Sequence, residues 1–85
     1  MLKVERLISS DKWQHKSYWD TLPVSYPNAR YKLLKNRLAR ETTKTHVAYR
    51  ILLNNLYVLT TIKMGHDHVI YIKDERKLLQ LLSEP

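Results

Sequence analysis

The chain has 85 residues, which is enough for one domain with a single hydrophobic core, and its 15 lysines and arginines outnumber its 8 acidic residues. The absence of cysteine excludes disulfides and thiolate zinc sites and is typical of a reducing, cytoplasmic setting. Because no apolar run approaches the roughly 20 residues of a membrane span and the amino terminus has no signal-peptide core, we expect one cytoplasmic domain over residues 1–85 without a membrane partner.

The first residues predict a short strand followed by a helix. Leu2, Val4 and Ile8 leave one apolar face between charged neighbours, a pattern that fits a short strand and also the start of a helix. A cluster of helix N-cap residues follows at 9–11, which predicts a helix from residue 11 to residue 21. Leu22-Pro23 is expected to end this helix.

A second helix is predicted between Asn28 and Arg40, directly after Pro27. Leu33 lies beside the apolar stripe of this helix. The residues of the stripe itself, at helical spacing, are Tyr31, Leu34 and Leu38. This stripe is expected to face the core.

The segment from Thr45 to Leu53 decides the fold. Three threonines at 42–45 and the alternating residues that follow favour a strand buried on at least one face. The same residues also approximate a helical stripe, so a helix remains open at this point. Asn54-Asn55 favours the strand, because asparagine tolerates positive φ and two such residues between apolar runs are a hairpin signal.

Two more strands and a last helix complete the expected fold. Tyr57 to Ile62 has strand composition, and the turn after it contains Gly65 and Asp67. Asp74 is the expected cap of a helix from Glu75 to Ser83, whose core-facing residues would be Leu78, Leu79 and Leu82. The sequence therefore predicts an α+β domain with a short N-terminal strand, two helices, a three-stranded antiparallel meander and a C-terminal helix.

Positive charge is concentrated in one third of the chain. Between Val24 and Arg50, seven basic residues stand against one acidic residue, a net charge of +6. Such asymmetry indicates a polyanionic partner, which could be nucleic acid, the ribosome or an acidic protein, while the alternative is a solvated helix face. The candidate nucleic-acid-binding residues are Arg30, Lys32, Lys35, Arg37, Arg40 and Lys44.

Residues 49–71 resemble the RelE/ParE superfamily of bacterial toxins. Residues 49–53, Tyr-Arg-Ile-Leu-Leu, look like the family's Tyr-Arg-aliphatic strand, and residues 62–66 with Tyr71 look like its closing segment with a Gly-His pair. The resemblance implies a toxin that an antitoxin protein neutralises. In the RelE branch it implies metal-independent, cofactor-free cleavage of ribosome-bound mRNA, with Arg50 contacting phosphate and with His66 and Tyr71 completing the catalytic set.

One residue departs from this family pattern, and the alignment to the family also has an alternative register. Asp67 stands where RNA-cutting members commonly carry arginine, and its carboxylate would repel the phosphate, which argues against catalysis. An alternative register aligns residues 55–59 with the family's second strand and residues 69–72 with its last strand, and it removes the functional meaning of His66 and Tyr71. A gyrase poison of the ParE type needs no such catalytic set, and the sequence does not separate the two branches.

Histidines and aromatic residues offer two further site hypotheses. His66-Asp67-His68 contains metal-ligand types, but the other histidines are distant in sequence, so we expect no metal site. The aromatic residues near the amino terminus could stack on bases or fill the core of a chain that lacks phenylalanine. They are Trp13, Tyr18, Trp19 and Tyr26.

Two other classes of protein compete with the toxin hypothesis. In a winged helix that regulates transcription by binding DNA, Tyr31 to Arg40 would be the first helix of the pair, Thr43 to Arg50 the recognition helix and residues 57–72 the wing. The third class is a small non-enzymatic inhibitor or adaptor that docks a partner protein through its basic face.

Overall fold

The computed structural model describes residues 1–9, 17–64 and 68–83. These residues form five strands, a short 3-10 helix and two α-helices. In chain order the elements are β1 (Leu2–Ser9), β2 (Ser17–Tyr26), the 3-10 helix (Asn28–Arg30), α1 (Tyr31–Thr45), β3 (Tyr49–Leu53), β4 (Leu56–Met64), β5 (His68–Ile72) and α2 (Glu75–Ser83). None of the helices in the described part of the chain is long and apolar enough to cross a membrane.

The described strands form one antiparallel sheet in the order β2-β1-β3-β4-β5. The hairpin of β1 and β2 is joined to the meander of β3, β4 and β5 through the pairing of β1 with β3. One cross-strand row passes through all five strands and contains Thr21, Glu5, Arg50, Thr60 and Ile72 in spatial order. Because side chains of directly paired residues share a face, this row lies on one face of the sheet.

The predicted helix over residues 11–21 is wrong where the structure describes it, since Ser17–Tyr26 is strand β2. The N-cap cluster reaches into residues 10–16, which lie outside the described residues. Pro23, expected to stop a helix, lies inside β2, which is an edge strand where proline is tolerated because one side of the strand makes no ladder hydrogen bonds. The expected RelE/ParE-like order, with two helices before a three-stranded meander, is therefore wrong, because the amino-terminal part is a β-hairpin.

The predicted strand from Thr45 to Leu53 is wrong in its first half. Helix α1 continues to Thr45, and β3 begins only at Tyr49. Thr43 and Thr45 are compatible with the helix because their hydroxyls donate to the carbonyl oxygens of the preceding turn, over 3.0 Å and 2.7 Å. His46 then ends the helix with φ at 61°. A recognition helix from Thr43 to Arg50 does not form, so the winged-helix alternative is also wrong.

Helix α1 packs on one face of the sheet, here called the α1 face. Leu34 and Leu38 of α1 belong to the same buried cluster as the strand residues, which are Leu2, Val4, Tyr49, Ile51 and Leu59. Thr42 is fully buried on the same side, and its hydroxyl lies 2.8 Å from that of Thr61 on β4. The predicted stripe of the second helix is thus confirmed as its core-facing side.

Helix α2 contacts β4 and β5. Thr60 and Ile72, which pair across these strands on the face away from α1, are buried, and so is Leu78 of α2. Asp74 is confirmed as the cap of this helix, since its Oδ1 accepts from the Arg76 backbone N–H over 3.0 Å. The core-facing role predicted for Leu79 and Leu82 lies outside the described side chains.

The hairpin between β3 and β4 is confirmed. Asn54 and Asn55 have φ angles of 49° and 67°, so both occupy the left-handed region that a two-residue hairpin turn of this type requires. The turn predicted at Gly65 and Asp67 lies outside the described residues. β4 and β5 nevertheless pair in antiparallel register on either side of it.

Candidate nucleic-acid interface

One side of α1, together with Arg30 at its N-cap, carries a line of exposed cations, here called the basic flank. It consists of Arg30, Arg37, Arg40 and Lys44, all of them exposed. Their spacing of seven, three and four residues places them along one side of a helix with 3.6 residues per turn. Because Leu34 and Leu38 hold the adjoining, core-facing side of the helix against the sheet, the basic flank is held in one orientation.

Acidic residues in the described part of the chain do not pair with the basic flank. Across the described ranges, no ion pair or side-chain hydrogen bond joins one of these four residues to another residue. Glu41 is four residues from Arg37 on the helix, yet it is half-buried and forms no such pair with it. Like charges at i, i+3 and i, i+4 therefore face solvent together and repel one another.

A groove runs beside the basic flank, between α1 and the end of β2. It has a volume of about 240 Å³ and is lined by Tyr26, Arg30, Leu33, Leu34, Arg37 and Arg40. Leu34 is a buried core residue, whereas Leu33 is 67% exposed. Tyr26 comes from the last position of β2 and is half-buried against the core. The groove thus combines apolar surface with three guanidinium groups.

The remaining two predicted binding residues lie elsewhere on α1. Lys35 is half-buried, and its Nζ lies 4.9 Å from the centroid of the Tyr71 ring on β5. Lys32 is exposed and is displaced by more than 90° around the helix from the centre of the basic flank. The six basic residues that were predicted as one binding site from their charge therefore lie on two different sides of the helix.

The predicted catalytic residues are not brought together. Arg50 belongs to the cross-strand row on the face away from α1. Tyr71 pairs with Thr61 on β4, and Thr61 pairs with Tyr49 on β3, so these three residues lie on the α1 face. The backbone of the sheet therefore separates the side chains of Arg50 and Tyr71. His66, the third member of the set, lies outside the described residues.

Arg50 is already engaged by its neighbours within the sheet. Its Nε donates to Glu5 Oε1 over 2.6 Å, and its guanidinium carbon lies 4.3 Å from the Trp19 ring centroid. Thr21 donates its hydroxyl proton to the other oxygen of Glu5 over 2.7 Å. The family resemblance implies that Arg50 contacts phosphate. Its partner Glu5 carries no signal in the sequence, because only the register of β1 against β3 places the two side by side.

A second polar cluster lies farther along the same face. The Tyr57 hydroxyl donates to the Ile72 carbonyl oxygen, so its own oxygen accepts from the Thr60 hydroxyl at 2.8 Å. Burial raises the pKa of Tyr57, and the nearby carboxylates of Glu75 and Asp74 add to the rise, while the Thr60 hydrogen bond and Arg50 oppose it. A phenol held neutral in this way is a structural link between β4 and β5.

Metal ligands do not cluster in the part of the chain that the structure describes, where no group of three or more histidine and acidic side chains could hold an ion. His66 and Asp67 lie outside it. Comparison with protein-family models, with curated proteins and with solved structures finds no match to this chain.

Proposed function

We propose that this protein binds nucleic acid through the basic flank of α1. The observation that carries the proposal is the line of four exposed cations, which have no ion-pair partner among the described residues and extend along about 20 Å of helix axis. A nucleic-acid backbone presents regularly spaced phosphates that can approach such a line, and each phosphate contact releases condensed counterions. Binding would therefore gain both from charge attraction and from counterion release.

The rigid mounting of the flank supports this proposal. Leu34, Leu38 and Thr42 are buried along the core side of α1, so the flank is presented by a packed helix and not by a loop. Preorganised cations lose less conformational freedom on binding than cations on a mobile segment do. Four like charges in line have a cost in the free protein through mutual repulsion, and a polyanionic ligand would remove that cost.

The proposal is limited to binding. Cleavage of ribosome-bound mRNA, with Arg50, His66 and Tyr71 as the catalytic set, stays a prediction of the sequence resemblance. Its test is growth arrest when the protein is expressed. If those residues act in catalysis, Arg50→Ala and Tyr71→Ala should each abolish the arrest. Because Arg50 also holds the sheet together, loss of arrest counts for catalysis only where the variant protein remains folded.

The binding proposal is tested by the salt dependence of affinity. Fluorescence anisotropy of a labelled single-stranded oligonucleotide, titrated with protein over a range of salt concentrations, gives the slope of log K against log salt. Four phosphate contacts predict a slope of about −3 for a single strand. The triple variant Arg30→Gln, Arg37→Gln, Arg40→Gln should reduce the slope to about −1.

A matched pair of lysines provides the control. Lys44 belongs to the basic flank and Lys32 does not, yet both are exposed residues of the same helix. Lys44→Gln should lower the magnitude of the slope by about 0.7, while Lys32→Gln should leave it unchanged within error. Equal effects of the two substitutions would show that affinity follows net charge alone and would contradict a defined binding flank.

An acidic protein segment is a second candidate ligand for the same surface. Leu33 favours it, because an exposed apolar residue among arginines is typical of a protein interface with a non-polar centre. A polyglutamate peptide of the same charge as the oligonucleotide separates the two classes. Binding of the peptide as tight as that of the oligonucleotide would favour the adaptor function over the nucleic-acid function.

A further inference from the structure

The groove beside the basic flank contains apolar surface that phosphate binding does not require. Leu33, which is 67% exposed, and Tyr26 are both among its lining residues. A helix that bound only a phosphate backbone would gain nothing from an exposed leucine between Arg30 and Arg37. The apolar part of the groove therefore points to an apolar part of the ligand.

We propose that this groove takes one base of a single-stranded nucleic acid, with the adjoining phosphates on Arg30, Arg37 and Arg40. The inference rests on the proposed function and specifies its ligand. A base has an apolar, polarisable face that can pack on Tyr26 and Leu33, and it is joined to phosphates that need cations close by. The groove supplies both kinds of contact within one set of lining residues.

The size of the groove is sufficient for one base. Its volume of about 240 Å³ is below the roughly 300–1,000 Å³ of sites that enclose a drug-sized molecule. A complete dinucleotide or nucleotide cofactor would extend well beyond it. One planar base fits, and the sugar and phosphates then lie outside along the basic flank.

The strandedness of the ligand follows from access to the base. In a duplex the faces of the bases are stacked on one another, and a base reaches a protein pocket only after it leaves the stack. In a single strand the bases are already accessible to aromatic and apolar side chains. A duplex would therefore contact the arginines through its phosphates and leave Tyr26 and Leu33 without a ligand.

Three labelled probes with the same number of phosphates test the proposal by anisotropy. They are a single-stranded pyrimidine oligonucleotide, an oligomer of the same length made entirely of abasic sites, and a short duplex. The single strand is expected to bind the wild-type protein at least about fivefold more tightly than the abasic oligomer. The salt slopes of these two probes should agree, because they make the same phosphate contacts.

Leu33→Ala is the decisive variant, and Leu56→Ala is its control. Leu33 and Leu56 are 67% and 72% exposed, so neither truncation removes core packing, and circular dichroism should show both variants folded. Leu33→Ala should weaken single-strand binding about three- to fivefold and leave abasic binding unchanged. Leu56→Ala should change neither affinity.

The outcomes separate this inference from the function on which it rests. Equal affinities for the single strand and the abasic oligomer, unaffected by Leu33→Ala, would overturn the base site while the salt-dependent phosphate binding remains. A duplex that binds more tightly than the single strand would overturn it as well. Failure of all three probes to bind with a salt-dependent affinity would overturn both the base site and the proposed function.

Discussion

Replacing Arg50 by alanine is expected to destabilise the whole sheet. The guanidinium donates to Glu5 over 2.6 Å and lies 4.3 Å from the Trp19 ring centroid. A hydrogen bond between charged partners contributes about 1.5–3 kcal/mol, and a cation–π contact about 0.5–2 kcal/mol. The Glu5 side chain is only 14% exposed, so the substitution also leaves a largely buried carboxylate without its cation. We expect the free energy of unfolding to fall by about 2–4 kcal/mol.

Urea unfolding followed by far-ultraviolet circular dichroism measures this loss directly. For a domain of this length, 1 kcal/mol corresponds to about 4–8 °C in Tm, so a loss of about 2–4 kcal/mol should lower the Tm by about 8–32 °C. A double-mutant cycle with Glu5→Gln should give a coupling energy of about 1 kcal/mol or more, because each substitution removes the same ion pair. The cycle separates that pair from the contact with Trp19.

Arg6 supplies the matched control for Arg50. It pairs with Asp20 at 3.6 Å between strands of the same sheet, but the two side chains are 42% and 48% exposed. An exposed pair of this kind contributes less than about 1 kcal/mol, so Arg6→Ala should cost clearly less than Arg50→Ala. If Arg50→Ala costs no more than Arg6→Ala, the structural role assigned to Arg50 is refuted.

Three further predictions concern the turn, the helix contact and the response to pH. Asn55→Val should lower the free energy of unfolding by about 1–2 kcal/mol in urea titrations, because a β-branched residue disfavours a φ of 67°, and an unchanged midpoint would contradict this. Thr42→Val should cost about 0.5–1.5 kcal/mol, since it removes the buried 2.8 Å hydrogen bond to the Thr61 hydroxyl and leaves that hydroxyl only its 3.4 Å bond to the Tyr49 carbonyl oxygen, and a stabilised variant would show the Thr42 hydrogen bond to be dispensable. Burial raises the pKa of Tyr57, so the stability it contributes is complete below about pH 10 and is lost as the pH rises through the folded-state pKa. Tyr57→Phe should therefore flatten the alkaline fall of the unfolding free energy, and an identical fall in both proteins would exclude this role.

The elements after Asn54 could be predicted because local signals there agree with the tertiary structure. The Asn54-Asn55 turn fixes the hairpin by its tolerance of positive φ, and Asp74 begins α2 with its side-chain cap. The core side of α1 was also predictable, since helical spacing of apolar residues decides which side is buried. In each of these places one local pattern was sufficient.

The errors arose where sequence-distant partners override local preference. The threonines at 42–45 have β propensity, yet Thr42 is held by a buried contact with Thr61 on β4, and its neighbours satisfy their hydroxyls on the helix itself. In the sequence alone Pro23 looks like the end of a helix, whereas its actual position on the edge strand of the sheet tolerates proline. The pairing of β1 with both β2 and β3 supplies that position, and no short pattern in the sequence contains it.

The candidate site was predictable in its charge but not in its geometry. Counting basic residues pointed to Arg30, Arg37 and Arg40, and the structure places these three in the lining of one groove. It did not separate them from Lys35, which contacts the Tyr71 ring on the other side of the helix. The groove itself requires Tyr26, whose proximity to α1 follows from the end of β2 and not from any motif.

If the basic flank of α1 is the nucleic-acid-binding surface of this protein, its amides should respond to the ligand. Amide chemical-shift mapping measures this, with an unlabelled single-stranded oligonucleotide titrated into isotope-labelled protein at low salt. We predict that the largest shifts fall on Tyr26, on residues 30–44 along the basic flank, and on Leu33 in particular. Shifts centred on Trp19 and Arg50 on the opposite face of the sheet would contradict the claim, as would unchanged amides along α1.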